Sequence, residues 1–277
     1  MRGQKLMSYK YIIASGWWCT DEDNRSDKFL NGDDAIRGSD FHNVWSSFIS
    51  KYSKPQQVVI VDSNSPIKPR WNSDLLDITV LELSSNLGHA SSLNGEQRYC
   101  GWSASVLLSM QYVMLSNADF YVYVEQDALI IGEGIIDNLI QSMGNSVNFL
   151  FGKSSSSVQP LQQSFFIVRK NHLNRFVCNY LSIPYSDKEI CPEVKFAIST
   201  SYFSRFIPKF LFKQYPNSSY GKVLRRLVVY LSKFIGSYKS MNIGYGRDRP
   251  IDFNSKCLYF QHGSLSEIKN ANERFIN

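Results

Sequence analysis

The chain lacks cysteines at metal-ligand or redox spacing: Cys19, Cys100, Cys178, Cys191 and Cys257 are odd in number, widely scattered and form no Cys-x-x-Cys. They read as reduced thiols in a cytoplasmic protein. No stretch approaches the roughly 18 apolar residues that cross a bilayer, and the apolar run 11–18 has no small-residue cleavage site after it. No signal peptide is read, and any membrane contact is expected to be peripheral, at the inner face. There is no internal repeat, and no low-complexity tract beyond the four serines 154–157.

What is present excludes a disordered chain: 277 residues, 43% hydrophobic and 14% aromatic, are enough for one large domain with a substantial core. The net charge of +6 suits an anionic partner. Nucleic acid, nucleotide phosphate and acidic lipid headgroups all satisfy that requirement.

The organising stretch is 119–131, in which Tyr121, Val122, Tyr123 and Val124 lead into Glu125-Gln126-Asp127. β-branched and aromatic residues without polar alternation predict a strand buried on both faces of a mostly parallel sheet. If the strand continues through Gln126, both carboxylates point to one side at its carboxyl end, where open α/β sheets bind ligands. Strands are also predicted at 9–15, 57–61, 78–83, 147–151 and 163–168, and helices at 40–52 and 99–115. The first strand leads into the polar stretch 21–27, the second ends at Asp62-Ser63-Asn64-Ser65, and the third is followed by Asn86-Leu87-Gly88-His89. Residues 152–157 read as a mobile surface loop. Segment 220–238 is basic and amphipathic. Its pattern fits first a helix packed on the body, and otherwise one lying on an acidic membrane or against a partner.

The order of these pieces resembles the nucleotide-sugar-binding half of a GT-A-fold glycosyltransferase, family-2-like and of the bacterial surface-polysaccharide type. The resemblance implies an α/β, Rossmann-like, mostly parallel sheet flanked by helices, with a catalytic unit at 1–205 and a C-terminal helical extension and site-closing segment at 206–277. It implies a divalent cation, Mn2+ or Mg2+, held by Asp127 against the two phosphates of a nucleoside-diphosphate sugar. Glu125 stands where the family has the first Asp of Asp-x-Asp, and would reach ribose or a metal-bound water. Asp62 would contact base or ribose, with Asn86 also on the donor. His262, in Tyr259-Phe260-Gln261-His262-Gly263, resembles the C-terminal histidine that completes the metal site, and Arg247 and Arg249 would neutralise the diphosphate.

The implied reaction transfers a sugar to a glycan or lipid-linked acceptor, and nucleic acid is not an expected partner. An inverting enzyme needs a base, for which Glu189 and Glu193 are candidates by position; a retaining one does not, and the stereochemistry stays open. Two other readings stand beside this one. A sugar-1-phosphate nucleotidyltransferase would carry a glycine-rich basic loop after the first strand, where this chain has Gly16-Trp17-Trp18-Cys19-Thr20. A non-catalytic carbohydrate-binding protein would bind glycans without a cation.

Overall fold

The computed structural model describes residues 9–21, 34–153, 159–215, 218–244 and 246–276. Of the stretch 21–27 only Asp21 is among them, and of 152–157 only Gly152 and Lys153; the remaining residues of both stretches lie outside the described residues.

The strands are β1 (Tyr11–Trp17), β2 (Gln57–Asp62), β3 (Ile78–Glu82), β4 (Phe120–Val124), β5 (Ala128–Ile131), β6 (Phe149–Gly152), β7 (Gln162–Arg169), β8 (Lys239–Ser240) and β9 (Leu258–Gln261). The helices are α1 (Phe41–Tyr52), α2 (Gly101–Met114), α3 (Ile135–Met143), α4 (Leu173–Leu181), α5 (Pro192–Thr200), α6 (Ser219–Ile235) and α7 (Leu265–Phe275). Seven strands form one sheet in the order β3-β2-β1-β4-β7-β6-β8, and β5 pairs with β9 in a second. β7 runs antiparallel to both its neighbours, and the other pairings in the large sheet are parallel. The chain is therefore α/β with a mostly parallel central sheet flanked by helices, as its strand-and-helix order predicts.

Alternation along the strands feeds two cores. In β4, Phe120, Val122 and Val124 enter the core covered by α1 and α3, while Tyr121 and Tyr123 enter the one covered by α2, α4 and α5. α1 forms because Phe41, Trp45, Phe48 and Ile49 recur at helical spacing, and all four are buried. α2 lies so close on the end of β1 that a Cβ at Gly16 would stand 2.9 Å from that of Ser105, which explains glycine there. A third cluster joins Val194 and Ile198 of α5 to Val228 of α6, making α6 an outer layer.

The strand stops at the acids, so the two carboxylates do not share one continued strand, and a further strand that the sequence did not announce follows them. β4 stops at Val124, Glu125 donates its backbone N–H to Ser164 (2.8 Å), and Ala128 N–H closes a turn onto the Glu125 carbonyl (2.9 Å). The apolar residues after Asp127 are buried because they enter the second sheet, not because the first continues.

Candidate functional site

The turn between β4 and β5 carries the acidic pair, and both neighbouring layers fix it. The buried indole of Trp45, on α1, donates to the Glu125 carbonyl at 3.2 Å. Gln126, between the acids, turns its side chain the other way: Oε1 accepts from Trp18 N–H at 2.7 Å and Nε2 donates to the Trp18 carbonyl at 3.0 Å. The middle residue of the motif thus clamps the segment that follows β1, a role its sequence position did not announce. Gln126→Leu, of similar volume, is expected to destabilise the fold by about 2 kcal/mol, because two backbone groups lose their partner in a half-buried setting. A urea midpoint equal to that of the wild type would remove the clamp from the account.

The antiparallel register places the histidine. Ala128 pairs with Gln261, so the residues just beyond each, Asp127 and His262, face one another. His262 takes a left-handed backbone (φ +54°), and its Nδ1 lies 2.8 Å from Asp127 Oδ2. Arg37 Nη2 approaches the same oxygen at 3.6 Å. Both Asp127 oxygens and His262 Nδ1 are buried, and beyond this histidine–carboxylate contact and Arg37 they have no other polar partner among the described residues.

The two acids titrate differently. Burial, then the negative charge of Asp127, pushes Glu125 up to about 8, against the pull of Arg247 and Arg37. Burial also raises Asp127, but attraction to His262, Arg37 and Arg247 outweighs it and leaves this carboxyl below its ordinary value. One proton on the pair therefore belongs on Glu125.

Glu193, in the first turn of α5, is buried and accepts a hydrogen bond from Gln159 Nε2 at 2.5 Å. Burial raises its pKa, while Arg247 and His89 pull it down. Arg247, exposed at the rim, acts electrostatically on Glu125, Asp127 and Glu193, so these four form one charged cluster.

The other sequence candidates are engaged elsewhere. The Glu189 carboxylate accepts from Ser186 N–H (2.9 Å) and pairs with Lys213 at 3.1 Å. Asp62 is buried and binds Ser65 and Lys68. Asn86 is exposed and its Oδ1 accepts from Gly88 N–H at 2.9 Å. Arg249 is paired with Glu267 at 2.6 Å and donates to the carbonyls of Gln261 (2.9 Å) and His262 (3.3 Å). Its fork braces the histidine-bearing segment instead of facing an anion. Arg37 was missed in the sequence: it follows a polar stretch without periodicity, and only the fold brings it to Asp127.

Among the described residues no three His, Cys, Asp or Glu side chains gather as a metal cage. The pair Asp127 and His262 nevertheless suits a partly protein-bound cation. Their facing atoms are 2.8 Å apart, close to the roughly 3 Å edge of an octahedron with Mg2+-type bonds, and such ions commonly take their other oxygens from phosphate and water.

No family model matches the chain, and the search of curated proteins found no match. Among solved structures, residues 1–349 of S. aureus TarS are similar at 11% identity and a TM-score of 0.41, covering 74% of this chain and 56% of that one. The same TarS piece in complex with UDP-GlcNAc is similar at 12% identity and a TM-score of 0.39, covering 69% and 54%. The mannosyltransferase PcManGT from Pyrobaculum calidifontis, in complex with GDP-Man and Mn2+, is similar at 10% identity and a TM-score of 0.42, covering 82% and 70%. The chain thus spans little more than half of the TarS piece. Likenesses of this strength leave function to be argued from the chain's own residues.

Proposed function

We propose that the chain is a glycosyltransferase that takes a sugar from a nucleoside-diphosphate donor and passes it to a glycan or lipid-linked acceptor in surface-polysaccharide assembly. The observation that carries this reading is Asp127: a buried, ionised carboxylate at the end of β4, 2.8 Å from His262 and drawn on by Arg37 and Arg247. Three basic groups gathered on one buried carboxylate at a strand's carboxyl end suit a site for a phosphate-bearing ligand.

Asp127 and His262 would hold a divalent cation, Mn2+ or Mg2+. That ion supplies charge stabilisation for the departing diphosphate. Arg247 and Arg37 add positive charge beside the same leaving group. Glu125 carries its proton at neutral pH in the cation-free chain; with a cation beside Asp127 it would ionise, and its carboxylate would accept a hydrogen bond from a ribose hydroxyl or a metal-bound water. Asp62 and Arg249, being internally bonded, serve as braces in this reading. Glu193 is favoured over Glu189 as the base that accepts the acceptor's hydroxyl proton.

Isothermal titration of UDP- and GDP-sugars with and without Mn2+ tests the reading. Cation-dependent donor binding is expected; glycan binding that ignores both donor and cation would instead favour a carbohydrate-binding protein. For Glu193, a base must be ionised, and burial raises its pKa, so kcat/KM should fall as the pH drops through a value above the ordinary Glu range. Glu193→Gln is expected to lose on the order of 10²–10⁴-fold activity and to flatten that acid limb. An unchanged limb in the variant removes Glu193 from the role.

A further inference from the structure

Residues 194–247 contain ten basic residues and no Asp or Glu. The rest of the chain holds 20 of the 30 basic residues against all 24 acids, so the positive charge of this protein is concentrated in one segment. α6 lies at the centre of that segment. Its inner face is accounted for: Val228 and Ser232 are buried, and Leu231 and Ile235 pack with Ile198 and Phe212.

Its outer face is not polar. Tyr220, Val223, Leu227, Tyr230 and Phe234 all point to solvent, with Tyr220 73% and Phe234 81% exposed. At about 100° per residue they fall in a sector of roughly 80°. Lys222, Arg226 and Lys233 occupy the adjoining strip, and among the described residues no acid pairs with them. In the segment before α6, Phe203, Phe206 and Phe210 are exposed as well. Isolated exposed apolar residues are ordinary, but a contiguous aromatic stripe edged by unpaired cations is not.

We propose that this face of α6 docks on an anionic phospholipid bilayer, α6 lying in the interface plane. The charge pattern selects that occupant: aromatic and aliphatic side chains enter the headgroup–acyl boundary while the adjoining lysines and arginine meet lipid phosphates. Tyrosine suits such a boundary, since its ring is apolar and its hydroxyl wet. No described helix is long and apolar enough to cross a membrane, so the contact lies on the surface. α6 packs on α5, whose first turn carries Glu193. Docking therefore leaves α5, which carries Glu193, separated from the lipid by the thickness of α6, about 10 Å, which favours a lipid-linked acceptor. That corollary rests on the transfer reading; the docking itself does not.

Vesicle flotation with the full chain tests the docking without donor, cation or turnover. The wild type is expected to float with phosphatidylglycerol–phosphatidylcholine vesicles, to be released by salt, and to stay behind with phosphatidylcholine alone. The variant K222E/R226E/K233E should lose more than about tenfold of the bound fraction. Y230S/F234S should lose binding while retaining its helical circular dichroism, because the buried face of α6 is untouched. Equal flotation on neutral and anionic vesicles, or full flotation of both variants, overturns the proposal. So does a wild type that stays off vesicles but sediments as a dimer dispersed by Y230S/F234S, which would make the face a contact between copies.

Discussion

Asp127→Asn is expected to abolish cation-dependent donor turnover, with a loss on the order of 10³-fold, since charge stabilisation at a leaving group contributes several kcal/mol. The substitution keeps the shape and removes the charge that faces His262, Arg37 and Arg247. Two readouts separate a site effect from misfolding. In the wild type, binding Mn2+ in the presence of a nucleoside diphosphate below pH 8 should release a proton, because Glu125 is held protonated up to about 8 by burial and by Asp127. Titration in buffers of different ionisation enthalpy measures that proton. In the cation-free protein, the Asp127 carboxyl lies below its ordinary value, so its contribution to stability is present at neutral pH and disappears as the pH falls through the folded-state value. The asparagine variant should lack that part of the acid dependence. Full Mn2+-dependent activity in Asp127→Asn would sink the proposed function.

The α/β class was legible because the strands are short apolar runs ending in polar clusters, and that pattern has few other solutions. Asp127 was legible for the same reason: it lies where a buried run ends. The strand 128–131 after the acids was not, because its apolar residues carry no turn signal of their own and composition does not say which sheet a buried strand joins. The pairing of β5 with β9 depends on residues some 130 positions apart, a contact no local pattern encodes. His262 could be suspected from its type and its glycine-rich setting, but its partner could not. Arg247 and Arg249 looked equivalent in sequence. Glu267, in the first turn of α7, separates them by taking Arg249 into an ion pair, while Arg247 remains at the rim. Exposure of the apolar stripe on α6 was equally hidden, since periodicity gives a helix its faces without saying which one the body covers.

Asp187→Ala is expected to destabilise the fold by about 3–5 kcal/mol, as breaking a fully buried ion pair does. Asp187 and Lys195 are both 0% exposed, with Nζ 2.8 Å from Oδ1. The same carboxylate also accepts from Tyr180 Oη at 3.0 Å and from Cys100 N–H, at the start of α2, at 2.8 Å. Removing it leaves a buried ammonium whose other acceptor is the Tyr185 carbonyl at 2.6 Å. Burial already lowers the Lys195 pKa against the attraction of Asp187, so the pair does not fully offset its own desolvation. The double variant Asp187→Leu/Lys195→Met should therefore be more stable than either single variant, with a coupling of about 2 kcal/mol in urea denaturation. Strictly additive losses would show that the two groups act independently. The consequence reaches the site, because this pair ties the N-terminal half of α5 to the start of α2, and Glu193 lies two residues before Lys195 on that helix. In the double variant, a stable fold with a shifted acid limb in the pH profile would mark the pair as positioning Glu193; a profile superimposable on the wild type would confine it to stability.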